Sequence, residues 1–313
     1  MKVLVTGASG FVGRALCIRL STSRHDTVAG VRRSSGFRDE LVLGPLEDDG
    51  LWNHERLQGY GAIVHLSARV HIMYDMVSDP LAEFRRINVN GTLKFARQAA
   101  AAGVRRFVFV SSVKVNGEYT AAGHLFTAAD NAAPQDPYGI SKMEAERGLR
   151  QIGEETDMEV VIVRPPLIYG PGVKANFASL MRAVQRGSPL PLASVTHNRR
   201  SFVALDNLVD LLVTCIDHPA AANQTFLVSD GEDLSTADLL RRLGHAMDKP
   251  ARLFPVPPSL LQLGANLLGK GDMAQRLLGN LQVDISHTRE TLDWSPPISV
   301  DEGLRRAVTG LTP

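Results

Sequence analysis

Five short runs of apolar residues recur through the first half of the chain: 2–6 (KVLVT), 27–31 (TVAGV), 61–66 (GAIVHL), 106–111 (RFVFVS) and 159–164 (EVVIVR). They are continuous rather than alternating, as strands buried on both faces are. Stretches 11–22, roughly 78–102 and 137–153 lie between them and carry apolar positions at helical spacing. Strand and helix in alternation predict an α/β fold with a doubly wound parallel sheet, whose ligands bind at the carboxyl ends of the strands. After 164–172 (RPPLIYGPG) the alternation loosens. A helix near 175–187 is followed by LPL at 190–192, SFVAL at 201–205, a helix near 235–247, PVPP at 255–258 and a last helix near 300–309. The stretch 260–269 (LLQLGANLLG) reads as a buried helix. The expected layout is a nucleotide-binding domain over 1–172 and a smaller C-terminal substrate-binding α/β part over 173–313. Segments near 201–230 are expected to return to the first domain.

Composition narrows the class. The chain has 313 residues, 44% of them apolar and 21% charged, which suits a globular protein with a substantial core. Its 34 basic and 33 acidic side chains leave a net charge of +1, so bulk charge argues for neither a nucleic-acid nor a membrane partner. Cys17 and Cys215 stand in apolar surroundings without metal-ligand spacing, and no metal is expected. Two buried free thiols suit a reducing compartment. The first apolar run ends at Gly7, too short for a signal peptide, and no run approaches the ~18 residues of a membrane span. A cytoplasmic location is the expectation.

Three motifs carry the chemistry. TGASGFVG places Gly7, Gly10 and Gly13 between the first strand and the first helix. Glycines there permit a tight turn and a close backbone approach to a pyrophosphate, which the helix N-terminus attracts with its free amides. Such a placement makes the first domain Rossmann-type. In PYGISK, Asp136 can cap a helix and Pro137 suits its first position, so Tyr138 and Lys142 share one face. An ammonium beside a phenol is expected to lower the phenol's pKa toward neutrality and make it a proton donor. FVFVSSVKVNGE delivers Ser111 and Ser112 to the carboxyl edge of the sheet, where a hydroxyl can hold a reacting oxygen.

Glycine turn, serine and Tyr-Lys pair in this order resemble the extended short-chain dehydrogenase/reductase family. HLSA (65–68), NVNGT (88–92), RPPLIYGPG, RRSFVALDN (199–207) and DISHTRETLDWSPP (284–297) extend the resemblance over nearly the whole chain. It implies a catalytic Ser112, Tyr138 and Lys142. It implies cofactor contacts at Gly7, Ser9, Gly10, Phe11, Val12, Gly13, Leu66, Ser67, Ala68, Asn88, Ser111, Pro165 and Leu167. A nucleoside diphosphate-sugar, in particular a UDP-sugar, would be gripped after residue 172, with Asn176 and Phe177 at the nucleotide, Arg200 at the diphosphate and Arg276 at a further contact. Lys114 and Asn116 would meet the sugar or its diphosphate. A homodimer is the family's common assembly and is expected on that ground alone.

Four departures from the family pattern refine the expectation. SSVKVNGE, with Asn116 in place of a tyrosine and Lys114 in place of a small neutral residue, resembles the bacterial surface-polysaccharide branch, which includes UDP-sugar 4-ketoreductases. Leu167 replaces an asparagine common in epimerases, and Gly44-Pro45 replaces a Gly-Asp pair. HDTVAGVRR puts Arg32, followed by Arg33, where NAD-preferring members hold the adenosine ribose with a carboxylate. A guanidinium there can bind a 2′-phosphate through charge-assisted bonds, so NADP(H) is the expected cofactor, with NAD(H) possible. A 4-ketoreductase consumes a reduced cofactor at each turnover, whereas a 4-epimerase retains one NAD. The resulting expectation is NADP(H)-dependent reduction of a UDP-4-keto-(6-deoxy)-hexosamine at C4. The alternative is a UDP-sugar 4-epimerase, and from another class a noncatalytic NADP-sensing regulator. A dehydratase is disfavoured, because Val113 and Lys114 replace that branch's Asp-Glu pair after the serine.

Overall fold

The computed structural model describes residues 1–46, 52–70 and 79–310. Seven strands form one all-parallel sheet in the order β3-β2-β1-β4-β5-β6-β9. They are β1 (Lys2–Thr6), β2 (Asp26–Val31), β3 (Glu40–Val42), β4 (Ala62–His65), β5 (Arg106–Val110), β6 (Glu159–Arg164) and β9 (Thr225–Leu227). The five expected strands are present, and β3 and β9 extend the sheet at its two edges. A separate parallel pair joins β7 (Leu167–Tyr169) to β8 (Phe202–Ala204).

Helices cover both faces of the large sheet, which is why its central strands are apolar throughout. On one face α1 (Phe11–Ser21) and α7 (Leu205–Asp217) bury Leu16, Leu20, Leu208 and Leu212 against Val3, Val5, Val108 and Val161. On the other, α2 (His54–Leu57), α4 (Thr92–Ala101) and α5 (Pro137–Glu155) bury Phe95, Leu149 and Ile152 against Leu4, Ile63, Phe107 and Ile162. The expected helix over 78–102 begins as α3 (Pro80–Phe84), and a π-turn over Arg85–Gly91 separates α3 from α4. The C-terminal part contains α6 (Ala175–Gln185), α8 (Thr236–Ala246), α9 (Pro258–Leu267), α10 (Gly271–Leu278), α11 (Ser286–Leu292) and α12 (Val300–Thr309). Residues 260–267 are helical as expected, but no residue of α9 is buried, so the expectation of a buried helix is corrected. Only Leu261 packs inward, against the cluster around Val184 and Leu240. No helix among the described residues is long and apolar enough to cross a membrane. Cys17 and Cys215 are buried and free, and burial pushes their thiols up to about 11 and about 12.

Arg106, at the start of β5, is 2% exposed and ties three elements together. Its Nη1 donates to the carbonyls of Cys215 (3.1 Å), Ile216 (3.0 Å) and His218 (2.8 Å), capping the C-terminal end of α7. Its Nε donates to Glu159 of β6 at 2.8 Å. A buried guanidinium is tolerated only when it is satisfied in this way. Arg106→Met is expected to cost about 3 kcal/mol, because three helix-end carbonyls and Glu159 lose their donor together. Urea unfolding reads this, and a loss under about 1 kcal/mol would contradict the assigned role.

Candidate active site

The glycine turn is shaped by contact. Gly7 has φ +68°, and a Cβ on it would stand 2.9 Å from the Ser67 nitrogen at the end of β4. A Cβ on Gly13 would lie 2.2 Å from the Gly7 carbonyl oxygen, so the first turn of α1 sits directly on the loop. The Gly10 amide donates to Gly7 O at 2.9 Å, and Gly10 caps α1 without any side-chain hydrogen bond. First-turn amides are thus left to an anion, and the closely packed backbone fits the pyrophosphate of a dinucleotide.

From this turn a cleft of ≈ 790 Å³ runs along the carboxyl edge of the sheet. Gly7, Ser9, Gly10, Phe11, Val12 and Gly13 line one side; Leu66, Ser67, Ala68, Ser111, Ser112, Tyr138, Lys142 and Pro165 line the rest. Arg32 also lines it, at the end of β2, exposed and without a partner among the described residues. Arg33 is exposed beside it but does not line the cleft. Gly44 and Leu46 do line it. Arg69, which the sequence reading passed over, reaches the cleft and lies 5.7 Å over the Phe84 ring, which meets Tyr138 edge-on. A cation immediately after HLSA at a strand end was the signal available for it.

The reactive trio converges from two elements, α5 and the turn after β5. Asp136 caps α5 by accepting from the Gly139 amide, which places Tyr138 in the first turn. Lys142, one turn on, donates from Nζ to the Val110 carbonyl at 2.9 Å, at the end of β5. Ser112 caps a 3₁₀ turn (Val113–Val115), its Oγ accepting from the Lys114 amide at 3.2 Å. Burial, with Glu146 opposing, pushes the Lys142 ammonium down to about 7. Burial and then the Asp136 carboxylate hold the Tyr138 phenol above its ordinary value. The expected lowering of that phenol is therefore corrected for the chain alone. Lys142 lies 5.9 Å from the centre of the Tyr138 ring, bonded to a carbonyl, and near pH 7 it is charged only about half the time. Behind them burial, then Lys142, pushes His65 down to about 3, keeping it neutral between the hydroxyls of Thr6 (2.8 Å) and Thr92 (3.2 Å).

Several residues expected to touch ligand are instead bonded into the protein. Ser111 donates its hydroxyl to Glu146 at 2.6 Å and its amide to Val163 O at 2.7 Å. Asn116 is buried, donating to Thr127 O at 2.9 Å and accepting from Arg164 at 3.1 Å. Asn88, in the π-turn, accepts from the Arg69 amide and donates to the Arg69 carbonyl, shaping the cleft wall from behind. Lys114 pairs with Glu118 and Asp136. The Phe177 ring is core, stacked on Tyr169 at 5.2 Å. Leu167 lies on β7, away from the cleft lining, and Asn176 is exposed on α6. Arg200 donates to Gly279 O at 3.3 Å, and burial, then the Arg276 guanidinium, lower it to about 10. The two guanidiniums repel, and a bound anion would relieve that repulsion.

Residues 3–229 match the NAD dependent epimerase/dehydratase family. Over 307 residues the chain is 49% identical to a UDP-glucose 4-epimerase of Vibrio cholerae, covering 97% of this chain and 94% of that protein. The chain belongs to this family. A short-chain dehydrogenase/reductase superfamily protein from Agrobacterium tumefaciens with bound NAD shares the fold at a TM-score of 0.77 and 24% identity, covering 99% of this chain and 97% of that one. MoeE5 in complex with UDP-glucuronic acid and NAD shares the fold at a TM-score of 0.78 and 23% identity, covering 99% of this chain and 98% of that one. RMD from Pseudomonas aeruginosa complexed with NADPH shares it at 0.76 and 20%, covering 99% of each. The glycine cradle and the edge cleft found here are thus features of a family that carries a nicotinamide cofactor.

Lys142 yields a pH test. Its folded pKa is depressed below the unfolded value, so between about 7 and 10.5 the unfolded chain holds more protons. Its contribution to stability therefore rises with pH through that window, by up to about 1.4 kcal/mol per unit. The stability of the cofactor-free protein relative to Lys142→Met is expected to grow from pH 7 to pH 10. A difference that stays flat would show that the ammonium is not desolvated.

Proposed function

We propose that this protein is an NADP(H)-dependent 4-ketoreductase acting on a UDP-4-keto-(6-deoxy)-hexosamine. The observation that carries the reading is Arg32, a guanidinium on the cleft wall at the end of β2 with no partner among the described residues. A carboxylate there would repel a 2′-phosphate, whereas a guanidinium attracts one. Lys142 and the glycine turn would hold the remainder of the cofactor, and bound NADPH supplies the hydride that reduces C4.

Tyr138 gives its phenolic proton to the C4 oxygen as the carbonyl becomes an alcohol. Burial and Asp136 hold this phenol above its ordinary value, so a charged Lys142 would have to lower it before it gives up its proton readily. Ser112 donates a hydrogen bond to the same oxygen and orients it. Lys142, when charged, stabilises the phenolate left on Tyr138 until water returns the proton. Arg200 and Arg276 receive the diphosphate. Arg69, near the Tyr138 end of the cleft, is placed to meet the sugar.

A second reading is favoured by the 49% identity to a protein named UDP-glucose 4-epimerase. An epimerase uses the same trio, with Tyr138 first accepting a proton and then returning it, and keeps its nucleotide throughout.

The two readings separate in one assay. With NADPH and a UDP-4-keto-6-deoxy-HexNAc, loss of NADPH absorbance together with a 6-deoxy alcohol product is expected. Conversion of UDP-Glc(NAc) to UDP-Gal(NAc) by the protein's own tightly held NAD, with no cofactor added, would overturn the reductase. Tyr138→Phe is expected to lower kcat by at least about 10²-fold with NADPH affinity unchanged. Unimpaired turnover in that variant would remove Tyr138 from the mechanism. Arg32→Asp is expected to shift preference from NADPH toward NADH by about tenfold or more, and an unchanged ratio would make Arg32 a bystander.

A further inference from the structure

The near-zero net charge conceals a segregation. Residues 165–205 carry Lys174, Arg182, Arg186, Arg199 and Arg200 and no carboxylate; residues 249–283 carry Lys249, Arg252, Lys270 and Arg276 against Asp272 alone. The rest of the chain holds 25 cations and 32 carboxylates. These two stretches, which pair at Leu190–Leu253 and Arg200–Leu281, therefore form a cationic lobe on an otherwise acidic chain, and the absence of a membrane partner no longer follows from bulk charge.

The same lobe carries the largest group of exposed apolar side chains among the described residues. Six of the thirteen exposed large hydrophobics lie within 254–273: Phe254, Leu260, Leu263, Leu267, Leu268 and Met273, at 44–80% exposure. Leu260, Leu263 and Leu267 recur at helical spacing, so they form one outward stripe on α9 while Leu261 packs inward. No charged residue occurs from 253 to 269. Cations adjoin this face. Lys270 stands in the turn from α9 to α10, its carbonyl accepting from the Met273 amide at 3.1 Å. At the end of α6, beside Arg186, a Cβ on Gly187 would lie 3.6 Å from Lys249 and 3.8 Å from Arg252. Phe254 follows immediately and bonds through its amide to Leu190 O at 3.0 Å.

We propose that the α9–α10 face docks this protein on a bilayer surface bearing anionic lipid headgroups. A stripe of leucines beside lysine and arginine is the arrangement by which an interfacial helix sinks into the headgroup region while its cations meet phosphate. Asp272 is the one carboxylate between 249 and 283, so little repels the headgroups. A second copy of the chain fits less well. A two-fold interface on this face would set the same cations against one another in the two copies. The inference is independent of which reaction the cleft performs.

Flotation of the purified full chain with vesicles tests it. At low salt the protein is expected to float with phosphatidylcholine vesicles containing about a third phosphatidylglycerol, and at least about tenfold less with pure phosphatidylcholine or in high salt. Leu263→Glu/Leu267→Glu and, separately, Lys249→Glu/Lys270→Glu are each expected to lower flotation about tenfold or more, with thermal stability and NADPH affinity unchanged. Failure of the wild type to float, or flotation of either variant equal to that of the wild type, would overturn the proposal. So would a concentration-dependent dimer in light scattering that only the leucine variant dissociates, which would assign the face to a second copy.

Discussion

Everything at the catalytic end of this molecule is referred to one buried carboxylate, Glu146. It accepts from Arg164 through two bonds of 2.9 and 2.6 Å, from the Ser111 hydroxyl at 2.6 Å and from Arg150 at 3.1 Å. Arg164 in turn donates to Asn116. Taking such a pair out of water costs several kcal/mol per ion, and it is tolerated here because the bonds are short and shared among four partners. The network joins the end of β5, the end of β6, the Asn116 turn and the helix carrying Tyr138 and Lys142. With those four elements pinned, Ser112 and Tyr138 face one cleft without either being held by ligand. Glu146 also opposes the desolvation of Lys142, one turn away, so the same carboxylate sets position and charge.

Much of the fold was legible, because parallel strands buried on both faces leave uninterrupted apolar runs. The runs missed are informative. Glu40–Val42 and Thr225–Leu227 are three-residue edge strands, too short to show a period. The π-turn that places Asn88 depends on packing rather than on helical spacing. For 260–267 apolarity was read as burial, yet the stripe faces outward; composition cannot say which side of a helix meets the core.

At the site, the glycine turn, Ser112, Tyr138 and Lys142 were visible because each sits at a fixed offset from a strand or helix end. The roles of Ser111, Asn116 and Phe177 were not, since a polar or aromatic residue near a cleft can face ligand or be bonded inward. Only coordinates distinguish the two. The direction of the Tyr138 shift escaped for a related reason: neighbouring in a helix turn says that a cation is near, while burial and the Asp136 charge decide the balance.

Arg32 and Tyr138 converge on one account. A guanidinium with no partner among the described residues suits a phosphorylated cofactor at the ribose end, and the Tyr138 phenol lines the same cleft at the other end. In the proposed reduction both would serve a cycle that draws on an external reductant. The most direct measurement follows deuterium from NADPH labelled on the transferred C4 hydrogen into the sugar product. The account predicts one deuterium at sugar C4 per NADPH oxidised. A C4-inverted sugar formed without label and without NADPH consumption would contradict it.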